Sequence, residues 1–108
     1  MNMQDRVPHE EHAAEEKLNW LRLATQFSSD GDLKGMRACA QEVERLKAGD
    51  VDAMAVNAEA ALYSGRIDEA EKLAEQVLDI QPRHPRARIV KAGLAALDFR
   101  LDEEIPLL

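Results

Sequence analysis

A fixed period of 34 positions runs through this chain of 108 residues and constrains its fold more than any other feature. Gly65 follows a serine at the end of an apolar stretch, and Gly31, 34 positions earlier, lies in the serine-rich segment QFSSDGDL. Such periods are typical of repeat architectures, in which neighbouring units cover one another's apolar faces. The same step joins further small or apolar residues: Ala24, Ala58 and Ala92; Leu33, Ile67 and Leu101; Ala40 and Ala74; Val43 and Val77; Leu46 and Ile80; Val56 and Val90.

The composition and the local patterns predict that each unit is helical. Alanine and leucine supply most of the apolar residues, and only four residues are aromatic, a mixture that favours helices. Apolar residues recur at helical spacing in 52–64 and again in 68–80. Asp68 is expected to cap the second of these helices, and Pro82 and Pro85 to end it. Pro8 suits the first turn of a helix, so helix 1 is expected to begin near residue 8 or 9 and to run to about Ser29.

The segment WLRLATQF carries a motif at the spacing of a known repeat. Trp20, Leu23, Ala24 and Phe27 resemble the W-x2-L-G-x2-Y pattern of the tetratricopeptide repeat (TPR) family, whose unit is a helical hairpin of 34 residues. The resemblance implies an all-α fold, an α-solenoid of stacked antiparallel hairpins with about five full helices. The segment LDEEIPLL would start a sixth. An acidic lead-in over 1–16 would precede repeat 1 (17–50), repeat 2 (51–84) and a partial repeat 3 (85–108).

The same resemblance implies a binding surface. In this family the first helix of each hairpin lines a concave groove that holds a segment of a partner protein. Leu21, Thr25 and Val56 stand where some relatives carry the Lys, Asn and Arg residues that clamp a carboxylate tail, so the resemblance favours a helical or extended apolar segment instead. Carried over by position, the groove residues are Leu21, Thr25, Asp52, Val56, Glu59, Leu62, Tyr63, Arg86, Ile89, Val90 and Leu97.

Charge and residue usage argue against several other classes of function. A formal net charge of −7 disfavours a general nucleic-acid binder, and no apolar run approaches a membrane span. The single cysteine, Cys39, fits a reducing compartment, so a cytoplasmic location is expected. His9 and His12 share a helix face but lack further ligands at the spacing of a metal site. Without a catalytic constellation or a phosphate loop, we expect a chain that is not an enzyme and needs no cofactor or metal.

Three hypotheses for the function follow. The first is a module that binds another protein in the groove. The second is self-association, as a homodimer or larger assembly, through an open C-terminal end at Ile105, Leu107 and Leu108. The third is an N-terminal accessory domain of a larger enzyme whose chain continues beyond residue 108. A basic segment in repeat 3 is either a docking patch for an acidic peptide or a solvated face; it consists of Arg83, Arg86, Arg88, Lys91 and Arg100.

Overall fold

The fold of the described residues is entirely helical. The computed structural model describes residues 8–104, with side-chain environments for 11–98. Five helices account for most of these residues and no strand occurs among them: α1 (Pro8–Asp30), α2 (Leu33–Leu46), α3 (Val51–Tyr63), α4 (Ile67–Ile80) and α5 (Pro85–Glu104). Each helix packs against the next in the chain, and α3 also contacts α1 and α5. The predicted bounds of helix 1 are thereby confirmed to within about a residue.

The turns explain why the period is visible in the sequence. Gly31 and Gly65 have φ values of 75° and 81°, in the left-handed region that favours glycine, and each ends the first helix of a pair. Asp32 then caps α2, because its carboxylate accepts a hydrogen bond from the Gly35 N–H at 2.8 Å. The corresponding residue before α4 is Arg66, which makes no such bond.

Two predictions about helix ends are wrong. Asp68 lies within the first turn of α4 rather than at its cap, where its charge still faces the positive end of the helix. The sixth helix does not begin within residues 101–104, since α5 continues to Glu104. The reason lies at Phe99, which occupies the position of Gly31 and Gly65. With neither glycine nor proline there, nothing forces α5 to end. Residues 105–108 lie outside the described part of the chain.

The core consists mainly of alanine and valine, which lets the helices approach closely. Ala24 of α1 packs with α2 and α3, and Ala58 of α3 packs with α4 and α5. Seventeen hydrophobic residues are buried among those described, and nine of these lie on α3 and α4: Ala53, Ala55, Val56, Ala58, Ala60, Ala61, Ala70, Ala74 and Val77. Helices α3 and α4 therefore form the best-covered part of the molecule.

Two glycines inside helices should respond in opposite ways to replacement by alanine. A Cβ at Gly35 would lie 2.6 Å from Cγ of Phe27 and nearly as close to the rest of that ring, which is packed against the core. A Cβ at Gly93 would meet only the flexible end of Leu62, with Cδ2 at 2.9 Å. We expect Gly35→Ala to lower the free energy of unfolding by about 1–2 kcal/mol despite its higher helix propensity.

The matched variant, Gly93→Ala, should be neutral or stabilising by up to about 1 kcal/mol, since Leu62 can change rotamer. Urea denaturation of both variants, followed by circular dichroism, measures the difference. Equal effects of the two substitutions would contradict the close approach of α2 to the Phe27 ring.

Candidate functional site

Arg86 joins three helices on one face of the molecule. Its guanidinium donates to Oε1 of Glu59 on α3 at 2.5 Å and to Oγ1 of Thr25 on α1 at 2.9 Å. The Tyr63 hydroxyl donates to the other carboxylate oxygen of Glu59 at 3.2 Å. The structure thus brings together four residues that the sequence assigned to the groove, from α1, α3 and α5.

A second polar cluster lies at the N-terminal end of α3. Lys17 of α1 lies 2.8 Å from a carboxylate oxygen of Asp50 and 2.8 Å from one of Asp52. The other oxygen of Asp50, which is only 4% exposed, caps α3 by accepting from the backbone N–H groups of Asp52 and Ala53. One buried carboxylate therefore fixes both the start of α3 and the position of α1 on it.

His84 completes this cluster. It stands in the turn before α5, yet it is only 6% exposed. Its Nε2 lies 2.6 Å from Oδ1 of Asp52, and its Nδ1 accepts from the Ala87 N–H at 3.4 Å. This pairing indicates the tautomer that carries the proton on Nε2. Because His84 lies 34 positions after Asp50, the period itself marks it as the residue that precedes a first helix.

The charges in this cluster shift one another's pKa values. Burial raises the pKa of the Asp52 carboxyl, but hydrogen bonds from Lys17 and His84 outweigh burial and bring it below its ordinary value of 3.8. Burial lowers the pKa of Lys17, and here too the bonds to Asp50 and Asp52 prevail and raise it above 10.5. Both groups are therefore held in their charged forms at neutral pH.

The lowered pKa of Asp52 predicts a specific acid sensitivity. A carboxyl whose pKa is lower in the folded than in the unfolded state contributes stability above its unfolded pKa, and that contribution disappears as the pH falls through the folded pKa. Between about pH 5 and pH 3, we expect the free energy of unfolding of Asp52→Asn to fall less steeply than that of the unmodified chain. Urea denaturation across this range measures the slope. As a control, Lys17→Met should raise the pKa of Asp52 in an NMR titration. If the stability of Asp52→Asn fell with pH as steeply as that of the unmodified chain, the expectation would be contradicted.

An apolar hollow lies beside the polar residues, between the C-terminal half of α3 and the middle of α5. It is lined by Leu62, Tyr63, Gly93, Ala96 and Leu97. Tyr63 and Leu97 are 49% and 37% exposed, so two large side chains offer apolar surface in one depression. The absence of a Cβ at Gly93 leaves the space that a side chain would fill next to Leu62. Ile89, 57% exposed, lies one turn before Gly93 on α5.

Two predicted apolar groove residues are not on the surface. Val56 and Val90 are both 0% exposed; Val56 packs with α1 and α2, and Val90 packs with α3 and α4. They are core residues, so the prediction that they contact a partner is wrong. Both lie at the boundary between the exposed face and the buried face of their helices. Helical spacing alone does not distinguish a surface residue from a core residue at that boundary. Leu21 and Leu62 are half-buried, and Asp52 is shared with the polar cluster.

The basic segment of repeat 3 is divided between internal pairs and exposed charges. Arg86 is engaged by Glu59. Lys91 lies 3.5 Å from Glu75 of α4, and both of these side chains are well exposed. Arg88 makes no hydrogen bond or ion pair with another described side chain. The cations of the two polar clusters, Lys17 and Arg86, are thus both paired with carboxylates.

Other potentially reactive groups are accounted for by packing. Cys39 is buried in the core, and burial, with a smaller contribution from the charge of Asp32, raises the pKa of its thiol, so the thiolate is disfavoured. Over residues 11–98, no three His, Cys, Asp or Glu side chains lie close enough together to hold a metal ion. None of the helices between residues 8 and 104 combines the length and the apolar character that crossing a membrane requires.

Comparisons with known proteins add no relative. The chain matches no protein-family model, no characterised protein and no solved structure.

Proposed function

We propose that this chain is a TPR-like protein-interaction module, a stack of helical hairpins whose first helices, α1, α3 and α5, bind an apolar segment of another protein. The observation that carries the proposal is the hollow between α3 and α5, in which Tyr63 and Leu97 are exposed around Gly93. A pocket of this kind suits one large apolar side chain of a partner helix or extended segment.

The polar clusters support this choice of ligand. A groove that clamps a carboxylate tail needs unpaired cations, whereas Lys17 and Arg86 already contact carboxylates of α3 and its cap. Releasing either cation would leave a buried Asp50 or Glu59 without its counter-charge, which is unfavourable. The ion pairs hold the three helices together. The apolar surface beside them is the part of this face that can bind a partner.

The test compares the tagged full chain with Tyr63→Ala/Leu97→Glu in capture from cell lysate, followed by mass spectrometry. Both substitutions are at exposed positions, so helical content should be retained, and the loss of the Tyr63–Glu59 hydrogen bond should lower the free energy of unfolding by only about 1 kcal/mol. The matched control is Ile80→Glu, which also places a charge at an exposed apolar residue but on α4. We expect the unmodified chain and Ile80→Glu to retain a partner that the double variant loses. Equal recovery by all three, or no partner from any, would contradict the proposal.

A further inference from the structure

We draw no further inference here: the strongest candidate, the exposed apolar stripe that Ile89, Ala92 and Ala96 form along α5, carries none because nothing in the described part of the chain shows what covers it.

Discussion

Replacing Val56 with glutamate is expected to unfold the chain. Val56 has no exposed surface and packs with Ala24, Met36 and Ala53, so a carboxylate there would be buried among apolar side chains. Burying an unpaired charge costs several kcal/mol, which is comparable with the whole stability of a domain of this size, about 5–15 kcal/mol. Far-UV circular dichroism and thermal denaturation should show the loss of the cooperative transition.

The adjacent position supplies the control for this experiment. Asn57 is exposed on the same helix, and Asn57→Glu adds the same charge without burying it, so its stability should remain within about 0.5 kcal/mol of the unmodified chain. A cooperative transition for Val56→Glu close to that of Asn57→Glu would contradict the placement of Val56 in the core. Loss of a partner in Val56→Glu would report unfolding, which is why the groove is tested at Tyr63 and Leu97 instead.

Removing the cation of Arg86 is expected to lower the free energy of unfolding by about 3 kcal/mol. In Arg86→Met the Glu59 carboxylate, whose side chain is only 8% exposed, keeps the Tyr63 hydroxyl but loses its counter-charge. Thr25 also loses its bond to α5. Because methionine fills a similar volume, the loss of stability should come from the unpaired Glu59 carboxylate rather than from a cavity. Urea denaturation of the full chain measures it.

A second substitution separates the charge from the packing. Arg86→Met/Glu59→Gln removes both charges, while the amide oxygen introduced on α3 can still accept from the Tyr63 hydroxyl. Replacing a buried ion pair by uncharged groups is often nearly neutral, so we expect the double variant to recover to within about 1 kcal/mol of the unmodified chain. If it were as unstable as Arg86→Met, the contribution of Arg86 would lie in the packing of its aliphatic stem.

The sequence predicted the helical fold well because its main determinants are local. Gly31 and Gly65 must have positive φ where they stand, and Pro85 suits a first turn, so the ends of most helices can be inferred without knowledge of the tertiary contacts. The failures concern positions where a local rule was absent or misleading. Phe99 offered no signal to end α5, and the acidic character of Asp68 suggested a cap when the helix had already begun at Ile67.

The candidate site was harder to predict because its contacts join distant parts of the chain. Lys17 and Asp50 are 33 positions apart, and Thr25 and Arg86 are 61 apart. Neither pairing follows from helical spacing, which relates only residues within a few turns. The repeat offered one overlooked signal: Asp50 and His84 precede successive first helices, so one would expect both near the residues of the preceding repeat.

The hydrogen bonds of Arg86 to both α1 and α3 affect how the helices unfold locally. When helices contact only their neighbours in the chain, the last one can detach and re-form without disturbing the first, and such arrays exchange their amide protons in separate local events. One guanidinium here holds oxygen atoms of α1 and α3 together from the start of α5. If α5 detaches, α1 and α3 therefore each lose a hydrogen bond to Arg86. We therefore expect the N-terminal part of α5 to unfold together with α1 and α3, although it is far from α1 in the sequence.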